Sequence, residues 1–199
     1  KKGSKIIVTE KKKNEFKKGI LFIKSKNVRK SLAETAFKIY NKKPKNLIAV
    51  TGTNGKSSIA NFYYQILKTN KIKVSSIGTL GISGINYKKN ISNTTFDPIK
   101  LNKILKILKK KKINNVILEA SSHGLKQHRL DGLKFNLGIF TNLSRDHLDY
   151  HKTFKDYFDS KLILLRKLMK EKSSIIFDED LNIAKKIKNI SKNKNLKTL

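Results

Sequence analysis

The sequence predicts an α/β fold: a mostly parallel sheet flanked by helices and organised around a P-loop, preceded by the tail of a small α/β N-terminal domain. Three observations carry this. Short apolar, β-branched runs alternate with segments whose apolar residues recur at helical spacing, as parallel strands joined by helices do. One strand, in the stretch LIAVTGTNGKSS, runs through a glycine turn straight into a helix. Polar clusters follow directly after strands, and open sheets of this kind hold their ligands beyond the C-terminal strand ends.

Taken in order, residues 5–9 (KIIVT) and 20–23 (ILFI) read as short strands, and 28–40 as a helix with Leu32, Ala33, Ala36, Phe37 and Tyr40 on one face. Pro44 then breaks the pattern and marks the expected domain boundary, dividing 1–44 from 45–199. Residues 47–50 are a buried strand, 59–67 a helix and 74–79 another strand. Residues 80–93, rich in Gly, Ser and Asn, suggest a hairpin or a mobile loop. Asp97-Pro98 opens a helix, because Asp caps and Pro at the first helical position loses no hydrogen bond. That helix runs through Leu101, Ile104, Leu105 and Leu108 into a lysine run at 109–112, which suits its negative C-terminal end. Residues 116–120 and 135–141 are strands, 154–170 an amphipathic helix, 174–177 a strand and 181–187 a short helix. Residues 188–199 are polar and without pattern, so they are expected to be frayed.

Composition narrows the class. The 199 residues suffice for one α/β domain plus part of another, and the start at Lys1, without methionine, suggests a piece of a longer protein. There is no cysteine, which excludes a disulfide scaffold and a thiolate metal site. The apolar runs are too short to span a membrane, so a cytoplasmic enzyme or binding domain is expected. The net charge of +32 suggests nucleic acid at first sight. Only Arg29, Arg129, Arg145 and Arg166 are arginine, however, and arginine is what specific nucleic-acid contacts favour. The lysines are spread over the whole chain rather than gathered in a stripe. No specific nucleic-acid partner is therefore expected, only nonspecific polyanion binding at low salt.

In the glycine turn, Gly52, Thr53, Asn54 and Gly55 lead into Lys56, Ser57 and Ser58. Backbone N–H groups of such a turn close on phosphate oxygens, and the helix N-terminus adds partial positive charge. Lys56 would reach the terminal phosphates and the Ser57 hydroxyl would ligate Mg²⁺. The loop is a short variant, with Val50 where the generic pattern has its first glycine. Glu119 ends an apolar strand, where a carboxylate is costly unless paired or metal-bound; beside a phosphate loop it suits Mg²⁺, and alone it reads equally as a strand end facing water. His147 sits in a loop with Asp146, Asp149 and His151 and could ligate a metal, although a solvated loop is the plainer reading of that cluster. Lys161 falls on the apolar face of the 154–170 helix. Alone it reads as a snorkelling lysine; a buried amine, by contrast, loses its proton readily and can add CO₂ to give a carbamate. Asn93, Thr94 and Thr95 offer an amide and hydroxyls to a ligand. Ser121, Gln127 and Arg129 follow a strand, and Arg129 could clamp a carboxylate.

Together VTGTNGKSS, NTT, LEASSHGLKQHRLDGLKFN and FTNLSRDHLDYHKTFKDYFDSK resemble the Mur ligase family, over most of the span 6–177. The resemblance implies that 1–44 is the C-terminal part of a UDP-substrate domain and 45–199 an incomplete central ATP-binding domain, with the amino-acid-selecting C-terminal domain absent. It implies ATP bound by Gly52 to Ser58. One Mg²⁺ would be held by Ser57 and Glu119, and a second by His147 and carbamylated Lys161. Asn93, Thr94, Thr95, Ser121, Gln127 and Arg129 would contact the substrate. The implied reaction adds a third amino acid, a diamino acid such as meso-diaminopimelate, to UDP-N-acetylmuramoyl-L-alanyl-D-glutamate through an acyl phosphate. A monomer is expected, inactive as the 199 residues alone. The sequence departs from the family at Phe96, where proline is usual, at Ser57-Ser58, and at Ala120 and Asn136. A folylpolyglutamate synthetase-like ligase and a nucleic-acid-stimulated P-loop ATPase are the alternatives.

Overall fold

A computed structural model describes residues 3–11, 13–86 and 94–199. The chain opens with a three-stranded sheet. Strand β1 (Ile6–Thr9) pairs in parallel with β3 (Ile20–Lys24), and β2 (Glu15–Lys17) pairs with β3 in an antiparallel hairpin. The sequence reading missed β2, whose three residues EFK are too few for alternation to register. Its signal is the turn: Lys18 and Gly19 both have positive φ (49° and 71°), the backbone of a tight two-residue hairpin. Helix α1 (Val28–Ile39) starts at Asn27, whose side chain accepts from Lys30 N, and buries Ala33 and Ala36. On one face of the little sheet Ile6, Val8, Phe16, Leu21 and Ile23 are cross-strand neighbours, and all are exposed.

The second sheet has seven strands. In chain order they are β4 (Asn46–Thr51), β5 (Val74–Gly78), β6 (Gly81–Ile82), β7 (Asn115–Glu119), β8 (Phe135–Phe140), β9 (Met169–Phe177) and β10 (Lys197–Thr198). Their order in space is β10-β9-β8-β4-β7-β5-β6, all parallel except the antiparallel β5–β6 hairpin. The expected hairpin after residue 79 is thus present; the rest of that expectation, residues 87–93, lies outside the described residues.

Helices cover both faces. On β4, Ile48 and Val50 pack with Ala60 of α2 (Lys56–Thr69), while Leu47 and Ala49 join the larger core on the opposite face. That core holds Leu101, Ile104, Leu105 and Leu108 of α3 (Pro98–Lys110), together with Phe96. Phe96, where the family pattern has proline, is therefore a core side chain. Burial on two faces explains why the central strands read as continuous apolar runs rather than alternating ones. Helix α1 joins the two sheets by packing on α3. Among the described residues no helix is long and apolar enough to cross a membrane.

Two expectations near the C-terminus are corrected. The 154–170 helix ends early: α6 (Phe154–Ile163) passes into a π-helical turn, Leu164–Leu168, and β9 begins at Met169. Residues 188–199 are not frayed. Helix α7 (Ala184–Asn193) buries Ile187 and Ser191, and β10 adds the seventh strand with Leu196 tucked beneath it. The lysines there decorate a packed edge, which charge counting alone cannot distinguish from a tail.

Candidate functional site

The cleft is built where β4, β7 and β8 end. After β4 the chain turns at Gly52 (φ 142°) and Gly55 (φ 81°), and α2 starts at Lys56 with no side chain capping it. The first amides of α2 are thus left for a ligand. A Cβ on Gly52 would lie 1.9 Å from Thr141 Oγ1, so this turn tolerates only glycine. The loop after β8 clasps the turn. Thr53 N donates to Asn142 O (3.0 Å), Asn54 N to Asn142 Oδ1 (2.9 Å), and Thr141 Oγ1 to Asn54 O (2.6 Å).

Two lysines converge on the turn. Lys56 Nζ donates to the carbonyls of Gly52 (3.0 Å) and Thr53 (2.7 Å). Lys161 Nζ donates to Gly52 O (2.7 Å) and lies 4.3 Å from the centre of the Tyr157 ring. Lys161 is 1% exposed, so it is buried and does not snorkel. Burial first, then the nearby Lys56 charge, pull its amine down to about 7, against a smaller upward pull from Asp146. The Lys56 amine is lowered too, chiefly by burial, with Glu119 and Asp146 opposing.

Glu119 ends β7 opposite Val50 and is 2% exposed. Its Oε1 accepts from Thr79 N (2.9 Å) and its Oε2 from Thr79 Oγ1 (3.2 Å). Gly78 makes room for it: a Cβ there would lie 2.0 Å from Oε1. Thr79 Oγ1 in turn lies 3.0 Å from Thr94 Oγ1. His147 takes a left-handed backbone (φ 51°) at the start of α5 (Leu148–His151), which aims its ring toward the cleft. Its edge meets His123 (centroids 4.8 Å apart), a residue of α4 (Ser122–Lys126).

The cleft, about 260 Å³, is lined by Thr53, Asn54, Gly55, Lys56, Ser57, Ser58, Thr94, Glu119, Ser121, His147 and Lys161, all singled out from sequence. Thr79 and Ser122 also line it and were missed, because single hydroxyl residues leave no periodic signal. The other expected residues lie around it. Gly52 forms the back of the turn. Thr95 is buried and spends its hydroxyl on Glu119 O (2.9 Å) and on Ser121 N (3.0 Å). Gln127 and Arg129 stand beside the cleft, bonded to each other. Asn93 lies outside the described residues. Among the described residues no three His, Asp or Glu side chains gather closely enough to hold a metal by themselves. A cation here would need hydroxyl, water or phosphate oxygens beside Glu119, which is how Mg²⁺ is usually held.

Fold and cleft define an α/β protein built around a P-loop, with an acidic strand end and a buried lysine facing it. The chain belongs to the Mur ligase family: the Mur ligase middle domain matches residues 50–199. Similar curated proteins are UDP-N-acetylmuramoyl-L-alanyl-D-glutamate--2,6-diaminopimelate ligases. That of Rickettsia bellii (strain RML369-C) is 39% identical over 191 residues, covering 94% of this chain and 40% of the relative. That of Wigglesworthia glossinidia brevipalpis is 42% identical over 200 residues, covering 95% and 40%. A solved structure of such a ligase superposes with a TM-score of 0.75 at 30% identity, covering 89% of this chain and 37% of that one. E. coli FolC in complex with DHPP and ADP has a TM-score of 0.64 at 16% identity, covering 86% and 46%, a likeness of fold alone. The chain thus spans about 40% of the length of the curated relatives it matches.

Proposed function

We propose that this chain is the nucleotide-handling part of an ATP-dependent amide ligase that joins 2,6-diaminopimelate to UDP-N-acetylmuramoyl-L-alanyl-D-glutamate in peptidoglycan precursor synthesis. One observation carries the reading: Lys56, Glu119, His147 and Lys161, from four separate elements, line a single cleft at the P-loop. The names of relatives near 40% identity supply the substrates. Residues 1–44 are read as the end of the UDP-substrate domain and 45–199 as the central domain. The protein is read as a cytoplasmic monomer with no specific nucleic-acid or membrane partner.

In this reading the turn Gly52–Ser58 and the α2 N-terminus hold the ATP phosphates. Lys56 releases the loop carbonyls and pairs with the γ-phosphate. The D-glutamyl side-chain carboxylate attacks the γ-phosphorus, ADP leaves, and an acyl phosphate forms. The amine of diaminopimelate then attacks the acyl carbon and expels phosphate, giving the amide. Such phosphoryl transfer asks for positioning and charge neutralisation rather than covalent help. Ser57 and Glu119 would hold one Mg²⁺; His147 and Lys161 would hold a second. When bound, the metal ions neutralise charge on the phosphate oxygens. The fit is supported by the buried Glu119, which lines the same cleft as Ser57. Lys161 would serve as a carbamate: its neutral amine adds CO₂, an N–C bond forms and one proton leaves. Thr94, Thr95, Ser121, Gln127, Arg129 and Asn93 would bind or support the acceptor.

The test is phosphate release by the full-length gene product. We expect release only with ATP, the UDP-muramoyl dipeptide and diaminopimelate together. Stimulation by a folate-type acceptor or by RNA, with none from the UDP-muramoyl dipeptide, overturns the assignment.

A further inference from the structure

We infer that Tyr150 is a positioning residue, the keystone of a side-chain relay that holds the Arg129 guanidinium for the acidic acceptor. The inference rests on the ligase reading for its substrate but not for its geometry. Arg129 commits three N–H donors inside the protein: Nη1 to Thr95 O (2.6 Å), and Nε and Nη2 to Gln127 Oε1 (3.0 and 2.7 Å). With five donors in a rigid plane, two are left for a ligand, and their direction is fixed by the other three. Gln127 is fixed in turn. Its Oε1 must face the two arginine donors, so its amide nitrogen faces away and donates to Tyr150 Oη (3.1 Å). Tyr150 is held by its ring, stacked on His123 with centroids 4.1 Å apart and planes at 30°.

The relay therefore runs His123–Tyr150–Gln127–Arg129–Thr95, and each of its ends adjoins a residue that lines the cleft. His123 meets the ring of His147, and Thr95 follows Thr94. An arginine with two chosen donors recognises a carboxylate only if its plane does not swing, because a misplacement near 1 Å can cost on the order of 10²-fold. Among the described residues the Tyr150 hydroxyl is the group bonded to that amide nitrogen. The Tyr150 hydroxyl sets the arginine plane at second hand, while its own backbone sits in α5, the short helix that His147 opens. Acceptor binding is thereby tied to the placement of α5.

Two measurements test this. In the 199-residue chain, exchange of the Arg129 Nε–H proton is read by NMR. Tyr150→Phe, which keeps the stacked ring, should speed that exchange about tenfold, as should Gln127→Leu. The double variant should exchange no faster than the quicker single one, because both break one relay. In the full-length enzyme, Tyr150→Phe should raise KM for the UDP-muramoyl dipeptide about tenfold, with kcat and the KM for ATP within about twofold. Unchanged Arg129 exchange in Tyr150→Phe overturns the relay whatever the enzyme makes. Equal rises in both KM values also overturn it, since they mark a general loosening. If the wild-type enzyme releases no phosphate with this acceptor, the ligase reading fails and the exchange result alone decides the relay.

Discussion

Lys56 and Lys161 aim their ammonium groups at one atom, the carbonyl oxygen of Gly52, from 3.0 and 2.7 Å. One lysine comes from the start of α2 and the other from the last turn of α6. Two like charges sharing one acceptor repel; the shared carbonyl, the Thr53 carbonyl on Lys56, the Tyr157 ring on Lys161 and the Asp146 charge offset that repulsion. In the proposed function a phosphate would draw Lys56 away and leave the oxygen to Lys161. Lys56→Ala should therefore raise the titration midpoint of the Lys161 amine above its present value of about 7. Because burial is the larger cause, the rise should be partial. Lysine side-chain NMR against pH reads it directly, and no movement would mean that burial acts alone. The same substitution should cut turnover of the full-length enzyme by ~10³-fold or more.

Lys161 also costs the fold stability. Its buried amine titrates near 7 rather than 10.5, so between those values the unfolded chain binds the extra proton. Stability then rises with pH across that window, and the full penalty, at most ~5 kcal/mol, applies below pH 7. Lys161→Met should raise the urea midpoint at pH 7, with the gain shrinking toward pH 10, and should abolish turnover. Lys161→Arg, which keeps charge but cannot form a carbamate, should be equally inactive. Normal activity of that variant without bicarbonate dependence would remove the carbamate from the mechanism.

Gly78→Ala should disable the Glu119 position without unfolding the sheet. The new methyl group would sit 2.0 Å from Oε1, so the carboxylate must swing out of its bonds to Thr79. Titration with a fluorescent ATP analogue and Mg²⁺ should show affinity reduced at least ~10-fold, with far-ultraviolet circular dichroism unchanged. Equal affinity would mean that Glu119 plays no part in metal-nucleotide binding.

His151 should set the acid limit of the domain. It is fully buried, with Nε2 3.0 Å from Ser122 Oγ, and burial followed by the Lys126 charge brings its ring down to about 4. A histidine lowered in the folded state leaves the unfolded chain holding more protons between pH 4 and 6.5. Stability is full above pH 6.5 and falls by up to ~3 kcal/mol as pH drops to 4. Chemical denaturation at several pH values reads the slope, and His151→Gln should flatten it.

Most of the cleft was legible in the sequence because its chemistry is locally marked. Gly-rich turns, a lone acid ending an apolar strand and a lysine on an apolar helix face each violate a local rule. Lys161 is the clearest case: helical spacing put it on the apolar face, where alone it reads as a snorkelling lysine, and it is instead buried. What escaped had no such mark. Thr79 and Ser122 are small hydroxyl residues in no periodic pattern, and α4 and α5 are too short for 3.6-residue spacing to register. The helix at 154–170 was read too long because the π-helical turn keeps Leu164, Leu165 and Leu168 inward while the backbone is already leaving the helix. The C-terminal edge was misjudged for another reason. Lysines dominate its composition, and the apolar residues that pack there, among them Ile187, Ile190 and Leu196, are few and do not form a run.

The little amino-terminal sheet has one further effect, on how the protein behaves in a tube. Its bare side gathers Ile6, Val8, Phe16, Leu21 and Ile23, with Phe16 74% in contact with solvent. A patch of that kind pulls copies together, and the charge of +32 pushes them apart. Added salt shortens the reach of the repulsion, to about 8 Å near 0.15 M, and leaves the attraction intact. The 199 residues should accordingly disperse well in dilute buffer and clump as ionic strength climbs, the reverse of proteins that salt dissolves.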